Sequence, residues 1–228
     1  MLPVTCAGSF APQAIGGLES DSQALHNRAH PAGRALLESP RSITLAAHQS
    51  LLLARDSQDA NCLKLSVREG IGRIAACFSQ AGGRSWSDVT LAFATSEDCP
   101  WLRLPVATSC LLEAQTPLCC DLQPVSNCPV THDLISDWLL ELHLVRHPVG
   151  ADLRLRSLLQ LLVQRFGRRS AAGYQLPLAL GHARMAELIG STRSTVTRQI
   201  SLLRQQQLLS LEPSGNALLL APELVELV

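Results

Sequence analysis

Gly181-His182-Ala183-Arg184-Met185-Ala186-Glu187-Leu188-Ile189-Gly190-Ser191-Thr192-Arg193-Ser194-Thr195-Val196-Thr197-Arg198 decides the fold, because its residue types fall where two helices joined by a tight turn need them. Ala186 is small where the helices must cross closely. Gly190, four residues on, stands where the turn calls for a positive φ that glycine adopts cheaply. Val196 follows six residues later as the buried anchor of the second helix. Beyond it, Ile200 and Leu203 continue at i+4 and i+7 in one apolar stripe of period 3.6, while Arg193, Ser194, Thr197 and Arg198 lie off that stripe. Thr192 is placed to cap this helix, and a helix N-terminus with free N–H groups can receive a phosphate. An ordinary pair of surface helices needs no such combination of a small residue, a glycine and a β-branched residue at these spacings. The pattern is that of a helix-turn-helix, and it points to double-stranded DNA as the partner.

The flanking residues extend the unit. Downstream, Ser210 to Leu220 reads as two short strands around Pro213-Ser214-Gly215-Asn216, which fits the wing of a winged helix. Upstream, Pro148-Val149-Gly150 breaks one helix and Asp152 is expected to cap the next. Leu155, Leu158, Leu159, Leu162 and Phe166 form its buried face before Gly167 ends it. Residues 151–228 are therefore expected to be a winged helix-turn-helix domain. Charge agrees: this segment has nine arginines against five acids, a net of +4, and with 19 basic and 19 acidic residues in the whole chain, residues 1–150 carry −4. A DNA-binding half joined to a non-binding half shows this asymmetry.

Taken together, these residues resemble the DNA-binding domain of the CRP/FNR family of bacterial transcription regulators. Ile189-Gly190-Ser191-Thr192-Arg193 followed by Thr195-Val196-Thr197-Arg198 looks most like the family's nitrogen-control branch. The resemblance is strong over about residues 151–228 and weak before them. It implies that Arg193 and Arg198 reach base edges, that Thr192 and Thr195 touch phosphate, and that Ser194 stands where residues vary with operator preference. Bidentate arginine to guanine O6 and N7 discriminates by roughly 1–3 kcal/mol. His182 stands where some relatives have an arginine near the DNA backbone, and a capping or surface role for it is equally open. The family likeness further implies a homodimer, activation of transcription and contact with RNA polymerase.

The N-terminal half has a different texture. Residues 1–37, rich in Ala, Gly, Ser, Pro and Gln, read as a loosely ordered arm. After Ser42, apolar residues alternate at Ile43/Leu45, Leu63/Leu65/Val67, Ile74/Ala76/Phe78, Val89/Leu91/Phe93 and Leu102/Leu104/Val106. This period of two predicts a β-roll over residues 38–128. Val67 to Ile74 resembles a hairpin common in the family's effector domain, so the fold class is α+β with a cupin-like, degenerate cyclic-nucleotide-binding domain. Nucleotide-binding members carry a Gly-Glu segment ending in Arg-Ser or Arg-Thr between the middle and final strands. Here Phe93 runs through Ala94-Thr95-Ser96-Glu97-Asp98-Cys99-Pro100 straight into Trp101. That stretch supplies acid where a cyclic phosphate needs N–H groups and positive charge, so no binding of cyclic AMP is expected. Arg103 is read as a surface residue.

Residues 129–148 are expected to form the dimerisation helix, with Ile135, Trp138, Leu142 and Val145 on a seam of the coiled-coil kind and Leu134, Leu139 and Leu144 packed on the β-roll. A two-fold dimer sets its recognition helices about 34 Å apart, which implies a palindromic operator.

Other chemistries find little support. Cys119, Cys120 and Cys128 lack a zinc or iron–sulfur spacing, and Cys62, Cys77 and Cys110 read as core residues. His143 and His147 share a helix face without a third ligand nearby in sequence. No metal, cofactor or catalytic constellation is expected, and so no enzyme. The longest apolar runs fall far below the ~20 residues that cross a bilayer, and the N-terminus lacks the charged start of an export signal; no membrane association and a cytoplasmic location are expected. The competing reading is an effector-gated sensor, whose β-roll binds a small metabolite or a redox or metal centre that licenses DNA binding.

Overall fold

The computed structural model describes residues 33–36, 40–54, 62–79, 86–98, 100–103, 109–125, 133–212, 215 and 217–226. The alternating segments form two sheets. One has the order β1-β3-β8-β5-β6, from Gly33–Leu36 (β1), Ser50–Ala54 (β3), Ser109–Ala114 (β8), Gly72–Ser79 (β5) and Trp86–Ala94 (β6). The other has the order β2-β9-β4-β7, from Arg41–Leu45 (β2), Leu118–Val125 (β9), Cys62–Glu69 (β4) and Trp101–Arg103 (β7). Period two does what it should. Along β8, Cys110, Leu112 and Ala114 are buried while their neighbours are half-buried, and β9 buries Leu118, Cys120 and Leu122 in the same way.

Three expectations need revision here. Gly33–Leu36, assigned to the arm, pairs parallel with β3; residues 1–32 lie outside the described residues. Val67 to Ile74 is not a hairpin, because β4 pairs with β7 and β9 whereas β5 pairs with β6 and β8. The chain changes sheets at Gly70, whose φ of +87° and collision of any added Cβ with the Pro117 carbonyl oxygen require glycine. The segment Leu102 to Val106 is described only to Arg103, as β7.

Helices α1 (Leu134–Arg146) and α2 (Ala151–Phe166) follow. Asp133 caps α1 by accepting from the Ile135 N–H at 3.2 Å. The N-cap of α2 is Gly150, at φ +106°, and not Asp152, which sits in the first turn where a carboxylate complements the helix dipole. The hairpin β10 (Arg168–Ser170) and β11 (Gly173–Leu176) comes next, then α3 (His182–Ile189), α4 (Arg193–Gln205), β12 (Leu209–Leu211), β13 (Leu218–Leu220) and α5 (Pro222–Val225). The four short strands make one antiparallel sheet, β10-β11-β13-β12. The expected two-stranded wing is thus half of a four-stranded sheet. Pro213, Ser214 and Asn216 of its turn lie outside the described residues.

The largest correction concerns α1. Trp138, Leu142 and Val145, expected on a dimer seam, are 1%, 3% and 5% exposed within the single chain, and Ile135 is half-buried against the same core. Leu139, Leu140 and Leu144 face outward at 44%, 61% and 59% exposure. The physical reason is an aromatic cluster. Trp138 stacks on Phe166 of α2 at 5.8 Å between centroids and meets Phe93 of β6 at 5.2 Å. Arg165, paired with Glu141 at 2.7 Å, covers the Trp138 ring. With two aromatic partners in its own chain and 1% exposure, the Trp138 ring has no surface left to offer a seam.

Candidate nucleic-acid interface

The first helix of the motif, α3, ends as its sequence demands. Gly190 is left-handed, at φ 63° and ψ 49°, and the Ser191 N–H reaches back to the Ala186 carbonyl at 2.9 Å. Ala186 is 4% exposed at the helix crossing. Thr192 then caps α4 by accepting from the Thr195 N–H at 3.2 Å, and its hydroxyl also lies 3.0 Å from Ser194 Oγ and 2.9 Å from Thr195 Oγ1. Three hydroxyls therefore cluster at the positive end of the helix dipole. Val196, Ile200 and Leu203 anchor α4 at 0%, 2% and 5% exposure.

The opposite face of α4 is open. Arg193, Ser194, Thr197 and Arg198 are exposed, as are Ser201 and Leu202 further along. The helix carries three arginines, the third being Arg204, and no acid. Thr195 is half-buried beside the cap. The Thr197 hydroxyl donates to the Arg193 carbonyl at 2.9 Å and lies 2.9 Å from His182 Nδ1. His182 thus ties the start of α3 to the open face of α4. It does not cap α3, whose N-cap is Gly181. Burial, and then the charges of Arg204 and Arg193, hold the His182 imidazole below its ordinary range. A rigid, arginine-bearing helix face with phosphate-sized donors at its N-terminus has the chemistry to enter a major groove.

Elsewhere the expected sites are ordered differently. The acidic stretch after Phe93 closes on itself: Asp98 Oδ2 accepts from the Thr95 N–H and hydroxyl, both at 3.0 Å. Cys110 and Cys120 are buried, and burial pushes both thiols up to about 11; Cys128 lies outside the described residues. His143 and His147 are exposed at the end of α1. No helix among the described residues is long and apolar enough to cross a membrane.

A second constellation carries no motif. Arg73 of β5 is fully buried and donates from three nitrogens, to Thr90 Oγ1 at 2.8 Å, Glu113 Oε2 at 2.6 Å and Asp88 Oδ1 at 2.8 Å. Arg184 and Glu187 of α3 join it. In sequence, Arg184 and Glu187 look like any solvated i, i+3 pair, and Arg73 like any outward strand residue.

Comparison with known proteins bears on both halves. Residues 153–226 match the Crp-like helix-turn-helix domain family. Relatives of the chain include the global nitrogen regulators of Nostoc sp. and Synechococcus elongatus, each 45% identical over 58 residues, which is 25% of this chain and 26% of theirs. The chain thus matches about a quarter of the length of these relatives. Beyond the Crp-like domain, the likeness is one of fold. A CRP-family transcriptional regulator of Thermus thermophilus superposes with a TM-score of 0.53 at 16% identity, over 78% of this chain and 91% of that one. A second regulator of that organism, of the CRP/FNR family, gives 0.52 at 19% identity over 82% and 98%. The CRP/FNR resemblance read from residues 151–228, including its nitrogen-control flavour, stands on these matches. These relatives and neighbours are transcription regulators and not enzymes.

Proposed function

We propose that the protein is a homodimeric, sequence-specific DNA-binding regulator that reads a palindromic operator through α4 and needs no cyclic AMP to do so. The observation that carries this is the seating of α4: one face is locked by Val196, Ile200 and Leu203, and the other presents Arg193 and Arg198 to solvent. Arg193 and Arg198 read bases, while Thr192, Ser194 and Thr195 meet phosphate or adjacent bases around the N-terminus. Thr197 and His182 shape the groove-facing surface between them. A second copy of the chain covers the outward face of α1, through Leu139, Leu140 and Leu144, in an isologous contact. Activation, and contact with RNA polymerase, rest on the family likeness alone.

Selection of bound duplexes from random DNA by the full-length protein, with no added ligand, tests this reading. The expected product is an inverted repeat whose half-sites lie about one helical turn apart. Enrichment of a lone half-site, or enrichment only after a metabolite is added, would overturn the dimeric, ligand-free reading.

A further inference from the structure

The Arg73 constellation joins the β-rich half to the helix-turn-helix. On the sheet, Arg73 sits on β5 between its two neighbours and gathers Asp88 and Thr90 from β6 and Glu113 from β8. From α3, Arg184 Nη1 donates to Asp88 Oδ1 at 2.8 Å and to Glu187 Oε2 at 2.7 Å. The Glu187 carboxylate accepts from the Thr90 N–H at 2.7 Å and from the Thr90 hydroxyl at 2.9 Å. Longer pairs, Arg73 to Glu187 at 3.9 Å and Arg184 to Glu113 at 3.8 Å, close the network. Two guanidinium forks and three carboxylates, the acids only 14% to 22% exposed, are therefore satisfied in one arrangement.

Such a network is a poor device for stability, since buried ion pairs roughly break even against apolar packing. It is a good device for orientation. If α3 rotated or slid, Arg184 and Glu187 would lose their forked partners, and no apolar surface would tolerate the change as a slipped leucine might. A second grip acts on the same helix. Arg146, at the end of α1, donates from Nε to the Leu188 carbonyl at 2.8 Å and from Nη2 to the Glu187 carbonyl at 3.0 Å, which also accepts from the Gly190 N–H at 3.3 Å, so Arg146 grips the C-terminal turn of α3. Only Gly190, Ser191 and Thr192 separate α3 from α4, so any tilt of α3 passes directly to the recognition helix.

We propose that Arg184 and Glu187 are positioning residues that set the angle of the recognition helix on the β-rich half, and so determine the half-site spacing an operator must have. This inference rests on the dimeric reading above. A two-fold dimer presents two recognition helices at a separation fixed by the path from α1 through the sheet and α3 to α4. Loosening the clamp should leave each reading head intact while blurring the distance between them.

The test uses the full-length protein and three DNA sets: the selected operator, operators with spacing changed by one and two base pairs, and an isolated half-site. The double variant R184A/E187A removes both α3 partners and leaves Arg73 paired with Asp88 and Glu113. For the parent, a one-base-pair change should weaken binding by roughly tenfold or more, as the second head loses its site. For the variant, half-site affinity should stay within about twofold, while the spacing penalty falls below about threefold. An unchanged spacing penalty in the variant would overturn the inference and leave the operator reading intact. A parent indifferent to spacing would overturn both. Should the double variant lose half-site binding, Glu187→Gln decides, because it keeps the shape and removes only the charge. A spacing penalty equal to the parent's in that variant also overturns the inference.

Discussion

Helices α1 and α4 are each 13 residues long, and each buries one side in the same core, yet only α4 could be oriented from its sequence. In α4 the apolar residues Val196, Ile200 and Leu203 share one face and the remaining surface is mostly polar, so burial has one solution. In α1, Leu134, Ile135, Trp138, Leu139, Leu140, Leu142, Leu144 and Val145 wrap around most of the helix. Two faces are then apolar enough to be inside. Spacing cannot choose between them; the shape of the partner surface does, and Phe93 and Phe166 seat the Trp138 ring within the chain. Amphipathic pattern fixes orientation only when one face is plainly polar.

The largest expected effect turns on this difference. Trp138→Ala should cost about 3–5 kcal/mol of folding stability by chemical denaturation, as removal of a buried aromatic does. Leu140→Asp with Leu144→Asp should leave the fold intact and shift sedimentation toward the monomer. A stable Trp138→Ala protein that dissociates instead would restore Trp138 to the seam. Next in size is the cap on α4: Thr192→Ala should lower stability by about 0.5–2 kcal/mol, measured the same way. An unchanged melt would mean that the hydroxyl cluster is occupied by solvent and not by the helix.

The smallest expected effect concerns pH. Burial alone would raise the Asp88 carboxyl, but the hydrogen bonds and charges of Arg184 and Arg73 outweigh it and hold the group below the ordinary carboxylate range. A lowered folded value means that this contribution to stability is fully present above the unfolded carboxylate value and is lost as pH falls through the folded one. Melting temperature should therefore drop more steeply below about pH 4 in the parent than in Asp88→Asn. Parallel curves would show that the network carries no such linkage.

Much of the fold was legible because its signals are local. Gly190, Thr192 and the Val196 stripe each impose a backbone or burial choice that neighbours cannot undo, and the alternation in β2, β4, β5 and β6 marks strands directly. What escaped is what distance in sequence hides. The sheet change at Gly70 depends on Pro117, and the clamp joins Arg73 to Glu187 across the two halves of the chain. The strands β10 and β11 are short, and β10 is exposed throughout, so neither carries a period. Within the candidate interface, the positions of Arg193, Ser194 and Arg198 were readable from the stripe. The tie between His182 and Thr197 was not, because it needs α3 and α4 packed together first.

If the outward face of α4 reads base sequence, equilibrium binding of Arg193→Ala and Arg198→Ala proteins to the selected operator and to an unrelated duplex will separate base contacts from phosphate contacts. Each substitution should cost about 1–3 kcal/mol on the operator and clearly less on the unrelated DNA. Equal losses on both duplexes would reduce the two arginines to phosphate contacts and contradict the account.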